Sequence, residues 1–155
     1  MFARFPKSGF FMKKGIDYIG NTVVFFCHDG KGRFLMGKRS KNARDEQGKW
    51  DIGGGGVELH DTVENTLKKE IKEEYCTDVL GFEMLGFRDV HRVHNGEPTH
   101  WIALDFKVLV NPDMVKIGEP HKLDSLEWFA LDSMPGMEEF HSQWPEFLKL
   151  YKLRL

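Results

Sequence analysis

Glu70, Glu73 and Glu74 stand at i, i+3 and i+4, a spacing that gathers carboxylates within one turn wherever the chain is helical. The period around them is helical, because Val63, Leu67, Ile71 and Tyr75 recur every four residues, as the buried stripe of an amphipathic helix does. With Val63 at 0°, the three acids fall at about 340°, 280° and 20°, bordering that stripe, while Lys68 and Lys72 fall at about 140° and 180°. Lysines four residues away therefore cannot neutralise the whole cluster. Like charges this close repel unless a cation lies between them. A hard divalent ion such as Mg²⁺ suits an all-oxygen set of this kind, with water and phosphate oxygens completing its shell. A solvated acidic helix face is the commoner reading of E-x-x-E-E when the pattern is taken alone.

The residues upstream shift that balance. Gly53-Gly54-Gly55-Gly56 lies between a strand-like Trp50-Asp51-Ile52 and the acidic segment. It reads as a loop that lets a ligand approach the main chain before a helix N-terminus, where anions are favoured. A flexible connection is the plainer reading of four glycines. Asp61 or Thr62 serves as N-cap, and Asp61 with Glu64 three residues on fits a capping box.

The stretch Gly55-x5-Asp61-x7-Lys69-Glu70-Ile71-x-Glu73-Glu74-x-Cys76-Thr77 resembles the Nudix box, Gly-x5-Glu-x7-Arg-Glu-U-x-Glu-Glu-x-Gly-U with U aliphatic. The order of the surrounding strands and the late Leu126-Glu127-Trp128-Phe129 segment are also similar to Nudix hydrolases. Four positions depart from the pattern. Asp61 is one methylene shorter than glutamate. Lys69 keeps the charge of arginine but loses its planar fork. Cys76 stands where glycine would take a left-handed conformation without strain. Thr77 is β-branched but not aliphatic.

The resemblance implies cleavage of a nucleoside diphosphate linked to another group, with Mg²⁺ or Mn²⁺. Carried over by position, Glu70 and Glu74 are the principal metal ligands, Glu73 a further one, and the Gly55 carbonyl another. Glu70 is the candidate general base and Glu73 shares the catalytic acids' turn. Gly54 and Gly55, with Lys38 and Arg39 at the end of a strand, are candidate substrate contacts; strand-end charges that serve solubility read the same way. Glu97 and Glu119 are expected to be surface loop glutamates. The expected substrate is a nucleoside triphosphate or a related nucleotide diphosphate compound, released as a nucleoside monophosphate. The competing reading is a nucleotide-binding sensor with weak or no catalysis, motivated by Asp61, Lys69 and Cys76. A prenyl diphosphate isomerase would need a catalytic cysteine, and Cys27 and Cys76 read instead as a buried strand residue and a helix end.

Around this centre the chain alternates strand and helix signals. Thr22–His28 and Arg33–Arg39 flank a glycine turn as a hairpin. Val79–Arg92 and Thr99–Val110 flank Asn95-Gly96. Ser125–Leu131 precedes a closing helix with Pro145 near its start and Phe147, Leu148 and Tyr151 on one face. A mixed β-sheet flanked by helices, an α/β/α sandwich of the α+β class, follows. The 155 residues with 41% apolar content read as a single domain over 1–155. A net charge of −2, with no run of five like charges, argues against a nucleic-acid partner held by counterion release.

No apolar run approaches the length needed to span a bilayer, and two cysteines without CxxC spacing point to a reducing, cytoplasmic setting. The basic, Phe-rich first sixteen residues offer a surface for a second subunit or for their own sheet, so a homodimer is one expectation. Phe87, His91, His94, His100 and Trp101 are candidates to flank a nucleobase. The pair His91-x2-His94 invites a zinc reading, but no third ligand at suitable spacing accompanies it.

Overall fold

Residues alternate across strand β1 (Gly20–His28): Val23, Phe25 and Cys27 face one side and Val24 and Phe26 the other, so the strand needs cover on both faces. The structure, a computed structural model that describes residues 11–155, covers them with α1 (Val63–Tyr75) and α2 (Gln143–Tyr151). Leu67, Ile71 and Tyr75 of α1 pack on Val23, Phe25 and Cys27. Trp144, Phe147, Leu148 and Tyr151 of α2 pack on Val24, Phe26, Phe34 and Met36. Fully burying each such side chain contributes about 1.5–3 kcal/mol.

The remaining strands are β2 (Phe34–Arg39), β3 (Trp50–Asp51), β4 (Gly53–Gly56), β5 (Val79–His94), β6 (Glu97–Val110) and β7 (Leu123–Phe129). They build one mixed sheet of order β3-β2-β1-β6-β5, with β4 on β1 and β7 on β2. β1 and β6 run parallel. The expected sandwich of a mixed sheet between helices is the architecture found. At the β5–β6 turn Asn95 and Gly96 have φ of 51° and 79°, the two positive values a type I′ hairpin requires. Asp105, fully buried on β6, accepts two hydrogen bonds from Arg88 at 2.7 and 2.8 Å and one from Tyr151 Oη at 2.8 Å, tying α2 to the sheet.

Three local expectations are corrected. The four glycines are not a loop but strand β4, antiparallel to β1 with Gly53 opposite Phe25 and Gly55 opposite Val23; the β1 edge supplies backbone partners that glycine's own weak strand preference would not. They do not abut the helix N-terminus either, because 57–62 intervene. The N-cap is Thr62, whose Oγ1 accepts from Asn65 N at 3.1 Å. No capping box forms between Asp61 and Glu64: Asp61 accepts from Thr62 N, and Glu64 pairs with Lys68 at 2.6 Å. Of the Phe-rich lead, residues 1–10 lie outside the described residues. Lys14 packs on its own molecule, donating to the Val57 carbonyl at 2.9 Å.

Candidate active site

The chain runs out along β4, turns through 57–62 and returns as α1, so the helix crosses back over the glycines. Four residues of helix rise about 6 Å and two residues of strand about 6.8 Å, so carboxylates at i and i+4 can stand over alternate strand positions. Glu74 stands over Gly53 and Glu70 over Gly55. A Cβ at Gly53 would overlap the Phe25 ring and meet Glu74 Oε2 at 2.7 Å, and a Cβ at Gly55 would fall inside the Glu70 carboxyl group. The glycines are required by this close approach.

The three acids differ in exposure. Glu74 is buried, Glu70 half-buried and Glu73 exposed. Burial holds the Glu74 carboxyl well above the ordinary carboxylate range, with Lys122 opposing and the Glu119, Glu70 and Asp51 charges adding. Without a bound cation, burial also raises Glu70, with Glu73 adding and Lys69 and Lys122 pulling it down. Among the described residues neither Glu70 nor Glu74 receives a hydrogen bond from a side chain or backbone N–H. Burial without a hydrogen-bond donor disfavours the charged form of Glu74, a cost that Lys122 offsets in part and a bound cation would offset further. An all-oxygen set pressed against bare backbone fits a hard divalent ion. The Gly55 carbonyl accepts from Thr22 Oγ1 at 2.9 Å.

The departures from the box have local explanations. Cys76 is the C-cap of α1 at φ 56°, ψ 20°, the left-handed conformation anticipated for that position. Thr77 is buried and its hydroxyl donates to the Asn111 carbonyl at 2.9 Å, joining the helix end to the end of β6. Asp61 is engaged at the helix entry, well before Glu70. Lys69 is exposed.

Glu119 differs from the surface acid that its loop position suggests. Its segment docks on the C-terminal end of α1, with Gly118 N donating to the Glu74 carbonyl at 3.0 Å and Lys116 N to the Tyr75 carbonyl at 3.1 Å. Glu119 pairs with Lys122 at 2.7 Å, and both charges act on Glu70 and Glu74. Lys122 and buried Asp51 are contributors that residue spacing does not reveal, since both arrive through long-range packing. Glu97 is instead at the hairpin tip, 3.7 Å from Lys13.

Lys38 and Arg39 are placed differently from each other. Lys38 Nζ lies 5.4 Å from the centre of the Trp50 ring. Arg39 bonds Asp45 Oδ1 at 2.6 Å and Asp51 Oδ2 at 3.3 Å, so its guanidinium is held within the protein. Trp101 lies against Gly20 and near Gly56 and Lys14, at the far end of β4 from Asp51. His94 sits opposite Glu97 at the hairpin end, and Phe87 is exposed.

A family model described as NUDIX domain matches residues 19–150. The chain is 26% identical over 124 residues to the nucleoside triphosphatase NudI of Enterobacter sp. (strain 638), covering 76% of this chain and 86% of that protein. It is 32% identical over 74 residues to the nucleoside triphosphatase NudI of Salmonella arizonae, a match that covers 46% of this chain and spans about half, 52%, of that relative. Among solved structures, the MutT NUDIX hydrolase from Burkholderia pseudomallei superposes with a TM-score of 0.73 at 26% identity, covering 86% of this chain and 98% of that one.

Proposed function

Because the chain belongs to the Nudix hydrolase family and is a Nudix pyrophosphohydrolase, we propose that it cleaves, with Mg²⁺ or Mn²⁺, the diphosphate linkage of a nucleoside triphosphate or of a nucleoside diphosphate joined to another group. A nucleoside monophosphate is released. Nucleotide preference is supported by relatives named as nucleoside triphosphatases. The observation that carries the reading is the pair Glu70 and Glu74, held without hydrogen-bond donors against a strand that has no side chains.

In this reading Glu70, Glu73 and Glu74, with the Gly55 carbonyl, hold the divalent ion. When bound, such an ion neutralises pyrophosphate oxygens and makes water more acidic. Glu70 accepts the proton of the attacking water. Gly54 and Gly55 admit the phosphates to within contact of the main chain. Lys38 contributes positive charge to them, and Arg39 acts as a positioning residue through Asp45 and Asp51. The 155 residues act as one domain on a small-molecule substrate, in a cytoplasmic setting that suits the free thiols of Cys27 and Cys76.

A panel of nucleoside triphosphates and nucleoside diphosphate conjugates, incubated with Mg²⁺ and assayed for phosphate products, tests this. Turnover is expected to fall about 100-fold or more in Glu70→Gln and in Glu74→Gln and to persist in Glu64→Gln, whose carboxylate pairs with Lys68. Full activity in both of the first two variants overturns the assignment of these acids, and saturable binding without turnover supports a sensor instead.

A further inference from the structure

The β5–β6 hairpin assembles a ligand set that the spacing of its histidines along the chain conceals. The turn at Asn95-Gly96 pairs His91 with His100 directly across the ladder, and Asp89 shares the face of His91 because side chains on a strand repeat every two residues. The imidazole centroids lie 4.1 Å apart. His100 Nε2 is 2.9 Å from Asp89 Oδ1. One donor atom from each of the three residues lies within 4.8 Å of the others. His94, the partner that spacing along the chain suggests for His91, is paired with Glu97 and contacts Asn95.

We propose that Asp89, His91 and His100 bind a borderline transition ion such as Zn²⁺, at a site separate from the hydrolytic acids. Two imidazoles and one carboxylate are the donors such ions prefer, whereas Mg²⁺ selects oxygen. Metal–ligand bonds of about 2.0–2.2 Å put donors roughly 3.4 Å apart in a tetrahedral set, within small side-chain rotations of the separations here. Asp89 and His91 are exposed and His100 is half-buried, so water can fill the remaining coordination positions.

The other cluster of this type among the described residues, Asp45, Glu46 and His141, differs in one respect. Arg39 and Arg92 already bond its carboxylates, leaving no charge for a metal to satisfy. No arginine or lysine pairs with Asp89 among the described residues; its hydrogen-bond partner is His100. The site is also remote from the acids of α1. His100 lies four residues beyond Leu104 on β6, and Leu104 reaches Gly55 only across Val23 of β1. That path corresponds to roughly 16 Å between the two sites.

Titration of the full chain with Zn²⁺ in excess Mg²⁺ tests the proposal, with Cu²⁺ electron paramagnetic resonance as an independent readout. One ion per chain is expected, bound at least about tenfold more weakly by His91→Ala and by His100→Ala. Binding should be unchanged in His94→Ala and in Glu70→Gln. The Cu²⁺ spectrum should carry nitrogen couplings that the His91→Ala/His100→Ala double variant loses. Equal Zn²⁺ affinity in wild type and double variant overturns the site, as does a Cu²⁺ spectrum without nitrogen coupling. Because the expected Zn²⁺ binding survives Glu70→Gln, its failure and the failure of the hydrolase reading are distinguishable.

Discussion

Glu74 is a carboxylate held against its own solvation. Its neutral isostere removes that conflict, so Glu74→Gln is expected to melt at least as high as the wild type in metal-free buffer while losing activity; thermal denaturation checks the first half and the nucleotide assay with Mg²⁺ the second. A second prediction separates two adjacent glycines. A Cβ at Gly55 would overlap the Glu70 carboxyl group, whereas the nearest atoms to one at Gly56 are 3.8 Å away. Gly55→Ala should therefore lower kcat/KM roughly 100-fold by displacing Glu70, with Gly56→Ala close to wild type in the same assay. The roles of these residues differ in how far they can be read from order alone. The i, i+3, i+4 acids are legible because a helix converts spacing into proximity. Glu119, Lys122 and Asp51 are not, because a folded-back loop and a neighbouring strand bring them in.

At the scale of elements, period-bearing segments were the readable ones. The helix over 63–75 has apolar residues every fourth position, and the β5–β6 hairpin has an Asn-Gly turn whose φ values the structure reproduces. β4 was unreadable as a strand, since Gly53–Gly56 has neither alternation nor strand propensity and acquires its conformation from the β1 edge. The end of α1 permits a direct measurement. Cys76 occupies the left-handed region, which costs a residue with a Cβ about 1 kcal/mol. Cys76→Gly should stabilise the protein by about that amount and raise Tm by about 2–4 °C, observable by calorimetry; an unchanged or lowered Tm would show that thiol packing outweighs backbone strain.

For the whole molecule, stability should depend on acid through the ionic network beside α2. His141, whose Nε2 lies 3.8 Å from Oδ1, with Arg92 and Arg39 adding and burial opposing, holds Asp45 below the usual carboxylate range. Glu46 is also lowered: burial opposes, but hydrogen bonds from Ser142 and the charges of His141 and Arg92 outweigh it. A carboxyl whose folded value is depressed binds its proton more readily when unfolded, so its contribution is fully present above about pH 5 and is lost as pH falls through the folded value. The difference in urea-unfolding free energy between wild type and Asp45→Asn, followed from about pH 6 to about pH 3, should show this loss. The comparison separates it from the opposite contribution of the raised Glu74, Glu70 and Asp51 carboxyls. Asp45→Asn should cost roughly 1–3 kcal/mol at the upper end and flatten the dependence. The two-layered core was legible in the alternation of β1, but this network was not, as it joins residues nearly a hundred positions apart, Glu46 to Ser142.

The strand without side chains has one further bearing, on how such a protein can diverge. Acids seated directly on peptide leave no margin for side chains beneath them, so divergence is confined to positions away from Gly53 and Gly55, such as the exposed tip of the β5–β6 hairpin.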